Sequence, residues 1–216
     1  HMIEKTYQQI KKLNIKSNIP LVIVDADEVI VHFAKPFVLF LKKRGFLLEL
    51  NGYTLSDSIK NIETNKIIKS TKSQKLVIDF IKKETKKQPL TKGALQSLNI
   101  ISSFAQVIIL TNVPQYAYED RILNFKNYNI SFPVIINAGS KGPALLELCK
   151  TLKKPAIFID DNLSQIESAE EFVPKIYRFH FTGCELVQRL LPKSLAATHN
   201  PKSWKEVEYL CKKLLI

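Results

Sequence analysis

Four short runs of almost unbroken apolar residues punctuate the chain: Pro20-Leu-Val-Ile-Val24, Gln106-Val-Ile-Ile-Leu110, Pro133-Val-Ile-Ile136 and Pro155-Ala-Ile-Phe-Ile159. Lys175-Ile-Tyr-Arg-Phe179 is a weaker fifth. Continuous rather than alternating hydrophobicity suits strands covered on both faces, as in a parallel sheet. Helical periodicity fills the intervals at residues 92–103, 115–127, 141–152 and 163–172. This alternation predicts an α/β protein with a doubly wound, mainly parallel sheet. Proline at or just before the strand starts is harmless, because a first strand residue can spare its donor.

The rhythm breaks between Phe33 and Gln88, where no buried strand is evident and amphipathic helical patterns occupy 36–44, 55–69 and 74–86. Thr54-Leu-Ser-Asp57 has the spacing of a capping box at one helix start. A plain crossover needs far fewer residues. The expectation is therefore a core made of 1–33 and 91–216, with a small helical cap, 34–90, inserted after the first strand. Ser203-Trp-Lys-Glu206 is another capping box and opens a terminal amphipathic helix.

Composition narrows the class without naming a function. The chain has 216 residues, 45% hydrophobic and 24% charged, so it can bury a substantial core and needs no disulfide scaffold. The three cysteines lack C-x-x-C spacing and read as reduced thiols of a cytoplasmic protein. No apolar stretch is long enough to span a membrane, because Asp25, Asp27 and Glu28 interrupt the longest one. Nothing at the start reads as a signal peptide, and His1-Met2 looks like a cloning remnant. The net charge of +12 is unevenly placed: residues 35–92 hold 14 basic and 5 acidic side chains, a net +9, directly after an acidic segment, 25–34. That contrast suggests a specialised centre beside a region that attracts anions.

The candidate chemistry lies at the ends of the predicted strands. Strand 20–24 runs into Asp25-Ala26-Asp27, and strand 155–159 into Asp160-Asp161. Either pair alone would serve as a strand-end turn with a capping Asp. Together, at the carboxyl edge of one parallel sheet where ligands bind, they could converge on a hard cation such as Mg²⁺. Strand 106–110 ends in Thr111-Asn112, a hydroxyl and an amide at the same edge, which by themselves would be an ordinary loop and cap. Lys141 stands at a predicted helix start, where its charge opposes the helix dipole and a second purpose is suggested.

In order and context these motifs resemble the haloacid dehalogenase (HAD) superfamily, over about residues 20–181. The resemblance implies a Mg²⁺-dependent phosphatase with Asp25 as nucleophile and Asp27 as general acid and base. It further implies Thr111, Asn112 and Lys141 as phosphate-binding groups. Asp25, Asp160, Asp161 and the Asp27 backbone carbonyl would surround the metal. An acid at position 27 favours phosphatases, or less often phosphomutases, over members resembling dehalogenases or ion-pumping ATPases. His32 would lie in a flap leading to the cap, as a flap or core residue and not a catalytic one.

A basic cap above such a site would favour a small anionic phosphorylated metabolite as substrate. A basic nucleic-acid-binding or end-processing protein is the competing reading, weakened by the lack of glycine-rich or aromatic-interleaved basic motifs. A receiver-type regulatory domain also uses Asp, Thr and Lys, but its acceptor lies on a later strand and it has no cap. The oligomeric state is open.

Overall fold

The computed structural model describes residues 2–49 and 58–216. Five parallel strands, β1 (Leu21–Val24), β4 (Gln106–Thr111), β5 (Val134–Ile136), β6 (Ala156–Asp160) and β7 (Tyr177–His180), form the main sheet in the order β5-β4-β1-β6-β7. All five apolar runs are thus strands, within a residue or two of their expected limits. The central strand β1 is completely buried and splits its side chains by the period-two rule. Leu21 and Ile23 join one core, and Val22 and Val24 the other.

Each core is closed by helices. On the first face lie α1 (Glu4–Lys11), α6 (Gly142–Cys149) and α7 (Leu163–Phe172), through Ile10, Leu145, Leu148, Ile166 and Ala169. On the second lie α4 (Ala94–Ser102), α5 (Tyr118–Asn127) and α9 (Trp204–Leu215), through Leu98, Ile101, Phe125, Val207 and Cys211. Helix α9 starts as its sequence requires, with the Ser203 hydroxyl accepting from the Glu206 N–H. The Glu206 carboxylate reaches back one residue further than in a strict capping box, to the Lys202 N–H at 2.7 Å. Trp204 is buried in the second core and donates its indole N–H to the Val29 carbonyl and the Thr91 hydroxyl, both at 3.0 Å.

The segment after β1 has its own hydrophobic cluster. Helices α2 (Ala34–Lys42) and α3 (Ser70–Glu84) pack Phe37, Phe40, Leu41 and Phe80 together with Phe46 and Ile59. The expectation of an all-helical cap needs correction. Phe46–Leu48 and Ile59–Asn61 are antiparallel strands, β2 and β3, and Ile67 bridges back to Lys60. Described residues 58–69 are therefore not helical. Gly45, at φ +79°, turns the chain out of α2 directly into β2, a conformation that L side chains resist. The capping box expected at Thr54–Asp57 lies outside the described residues. A 3₁₀ turn, Thr85–Lys87, leads back to the core, where the His32 N–H bonds to the Pro89 carbonyl and Val31 bridges Leu90. The short helix α8 (Glu185–Gln188) follows β7.

Candidate active site

The strand order places the chemistry. From β1 the chain moves toward β4 and β5, then returns to the other side of β1 for β6 and β7. Connections from β1 and β6 therefore diverge, leaving a crevice at their carboxyl ends, where open α/β sheets bind ligands. Asp25 follows β1, and Asp160 ends β6 with Asp161 next. Asp25, Asp160 and Asp161 are all buried and bring carboxylate oxygens within 4.8 Å of one another.

Lys141 caps α6 with its backbone and sends its side chain into this cluster. Its ammonium donates to Asp25 Oδ1 at 2.5 Å and Asp160 Oδ2 at 2.6 Å, and the residue is 2% exposed. Gln165 fixes the helix start by accepting from the Lys141 N–H at 2.8 Å and donating to the Gly139 carbonyl at 3.1 Å. One cation beside three buried carboxylates leaves the centre short of positive charge. Burial pushes the Asp25 carboxyl up to about 7; Lys141 pulls it down while Asp160 and Asp27 push it further up. Asp161 is also raised well above the usual carboxylate range, first by burial and then by Asp25 and Glu28. For Lys141 burial opposes the charge, but Asp160 and Asp25 outweigh it and the ammonium is held more firmly than usual. An all-oxygen donor set with unbalanced negative charge fits a hard divalent cation such as Mg²⁺.

The other expected residues take different positions. The Asp27 carboxylate does not join the cluster; its Oδ1 accepts from Arg121 Nη2 at 2.6 Å and Gln88 Nε2 at 3.1 Å. Thr111 is buried at the end of β4, where its hydroxyl accepts from the Val113 N–H. Asn112 borders the cavity but spends its amide on structure, donating to the Gly139 carbonyl at 2.7 Å and accepting from Asn137 at 2.9 Å. The cavity is about 230 Å³, bounded by Asp25, Asp27, Glu28, Lys141, Asp160 and Asp161. A larger groove of about 820 Å³ lies at the opposite, amino end of β1 and β4, beside Lys16, Pro20 and Gln106. Its lining holds no Asp or Glu side chain, so the aspartate cluster locates the candidate site and cavity size does not.

Arg121 and Gln88 are residues that sequence reasoning missed. Arg121 is 1% exposed and also bonds Gln88 Oε1 at 2.8 Å and Asn124 Oδ1 at 3.0 Å, while Asn124 Nδ2 holds the Gln88 carbonyl. A helix that buries Arg121, Asn124 and Phe125 on one face hides that face from hydrophobic periodicity. Glu28 is a third. It adopts φ +62°, and burial pushes its carboxyl up to about 7 against the N–H groups of Phe33 and Ala34 that it accepts.

Solved structures share this architecture. A hydrolase of the haloacid dehalogenase-like family from Streptococcus pneumoniae superposes with a TM-score of 0.60 at 16% identity, over 89% of this chain and 98% of that one. The chain has a HAD-like fold. A protein from Bacillus subtilis described as a HAD-hydrolase and solved bound to magnesium gives 0.62 at 10% identity, over 90% and 99%. One from Thermotoga maritima described as a beta-phosphoglucomutase gives 0.57 at 16%, over 91% and 100%. No family profile and no curated protein matches the chain by sequence. Within the HAD-like fold, Asp25, Lys141, Asp160 and Asp161 form one contiguous centre.

Proposed function

We propose that this chain is a phosphomonoester hydrolase that works through an aspartyl-phosphate intermediate. The observation that carries the reading is the Lys141 ammonium bridging Asp25 and Asp160 within a buried three-carboxylate cluster at the strand ends. The side chains of Asp25, Asp160 and Asp161, with the Asp27 backbone carbonyl, would hold Mg²⁺. That ion would offset the repulsion between carboxylate and phosphate.

The chain's own groups divide the work. Asp25 attacks phosphorus and becomes the phosphorylated residue. Lys141 balances charge on Asp25 and on the transferring phosphoryl group. Asp27 has Oδ1 committed to Arg121 and Gln88, leaving Oδ2 to protonate the departing oxygen and then to take a proton from the attacking water. Thr111, whose hydroxyl only accepts from Val113, and Asn112, whose amide donates one of its two hydrogens to Gly139, each retain a donor for phosphate. The segment 34–90 acts as a lid, and the net +9 over 35–92 favours a small anionic phosphorylated substrate.

The test is release of phosphate from p-nitrophenyl phosphate with Mg²⁺, followed by a panel of sugar phosphates, nucleotides and phospho-amino acids. Asp25→Asn should lower turnover by at least about 10³-fold. Folded protein that releases no phosphate from any of them would reject the reading. Isomerisation of a sugar phosphate without net phosphate release would assign the same centre to a phosphomutase.

A further inference from the structure

We propose that Glu28, His32 and Cys184 form a second, softer metal site, which takes an ion of the Zn²⁺ class and ties the root of the cap to the core. The three side chains place one oxygen, one nitrogen and one sulfur within 4.8 Å of one another. Tetrahedral Zn²⁺ with bonds of about 2.0–2.3 Å separates its donors by about 3.5 Å. Gathering these donors around an ion therefore requires side-chain movements of little more than about 1 Å. The donor chemistry is distinct from that of the aspartate cluster. Thiolate and imidazole select borderline-soft metals, whereas all-oxygen sets select Mg²⁺.

The segments that carry the donors are already docked on each other. Glu28 occupies the turn after β1 and accepts, through its backbone carbonyl, from the Gly183 N–H and the Thr182 hydroxyl, both at 2.8 Å. Those two residues immediately precede Cys184, and Gly183 is required there: a Cβ would lie 2.7 Å from the Val29 carbonyl oxygen. His32 lies four residues beyond Glu28 on the segment leading into α2. Each side chain also has coordination capacity to spare. Glu28 accepts two N–H groups on Oε1, leaving Oε2. Nδ1 of His32 is buried with no hydrogen-bond partner. The Cys184 thiol is fully buried, and the backbone N–H groups of Val187 and Leu186 directed at its sulfur oppose the effect of burial by favouring the thiolate that a metal would bind. Three protein donors leave a fourth position for water, and Glu28 borders the carboxylate cavity. An ion here would link the β7–α8 loop to the chain entering the cap, independently of whether the neighbouring centre hydrolyses phosphate.

Co²⁺ serves as the optical stand-in for Zn²⁺. The reduced protein is titrated with Co²⁺ in excess Mg²⁺ and incubated until the spectrum is constant, with circular dichroism confirming the fold. One equivalent should produce a thiolate-to-cobalt charge-transfer band, which Zn²⁺ then displaces while raising the melting temperature. Cys184→Ser should abolish the band, and His32→Gln should weaken Co²⁺ affinity at least about tenfold. Cys149→Ser and Asp161→Asn should leave it in place. The half-buried position of His32 makes His32→Gln the folded control should Cys184→Ser prove unstable. Absence of the band in the folded wild-type protein, its survival in Cys184→Ser, or unchanged affinity in His32→Gln would overturn the proposal.

Discussion

Arg121 is buried to 1% and does not border the carboxylate cavity, yet its guanidinium holds the one carboxylate of the constellation that stands apart. On the proposed mechanism it is a positioning residue, acting through Asp27. The Asp27 side chain is 31% exposed, so the loss of the guanidinium falls mainly on the buried Gln88 and Asn124 oxygens left without a donor, and costs about 1–3 kcal/mol. Arg121→Ala should therefore lower stability. In protein that remains folded it should also reduce kcat by about 10–100-fold with little change in KM, the range assigned to misplacing a reacting group. Arg121→Lys should restore part of kcat, because an ammonium keeps the charge but not the fork that spans Asp27, Gln88 and Asn124. Steady-state kinetics of both variants distinguishes a positioning role from a merely structural one, which would leave kcat of the folded fraction unchanged.

Among the elements, the cap cluster is smaller than either core of the main sheet and should fail before them. Phe80 is fully buried, with Phe33, Phe37 and Phe40 at ring-centroid distances of 5.0, 5.1 and 5.4 Å. Phe80→Ala should cost about 3–5 kcal/mol locally. Hydrogen exchange should then show α2 and α3 losing protection while β1, β4 and β6 retain it, if 34–90 melts as a unit of its own. The same contrast explains what could be read beforehand. β1 and β6 are buried on every residue, so their sequences carry an unbroken apolar signal. β2 and β3 have three residues each and bury mainly Phe46 and Ile59, too little for any period to show. Helix α1 buries only Thr6 and Ile10 and gave equally little signal. Asp25, Asp160 and Asp161 were legible because strand ends fix where residues go, whereas Lys141 stands at a helix start and was assigned through the family resemblance. The Arg121–Asp27 contact joins residues 94 apart and carries no local signature.

At the scale of the whole molecule, the strained charge balance makes stability depend on pH and metal together. The Asp25 and Glu28 carboxyls are raised to about 7 in the folded protein from ordinary values of 3.8 and 4.5. Between those limits the folded state binds more protons than the unfolded state, so stability falls as pH rises. This contribution is complete below the ordinary carboxylate values and is lost as pH climbs through 7. Metal-free protein should accordingly melt at a lower temperature at pH 8 than at pH 5, by about 2–4 °C for each kcal/mol lost. Added Mg²⁺ should raise the melting temperature more at pH 8, because it binds the ionised carboxylates. Differential scanning calorimetry with and without chelator checks both signs, and an equal Mg²⁺ effect at the two pH values would contradict them.

Trp204 is the chain's single tryptophan, and it holds the carbonyl of Val29. Val29 belongs to the turn that carries Asp27 and Glu28, so the lone indole rests against the back of that turn. A shift of the turn that lengthens this bond changes the polarity around the ring. Intrinsic fluorescence excited at the indole band therefore follows the turn directly, with no label attached. The protein has a built-in optical gauge of the turn that carries Asp27 and Glu28, readable in the same cuvette as any phosphate release.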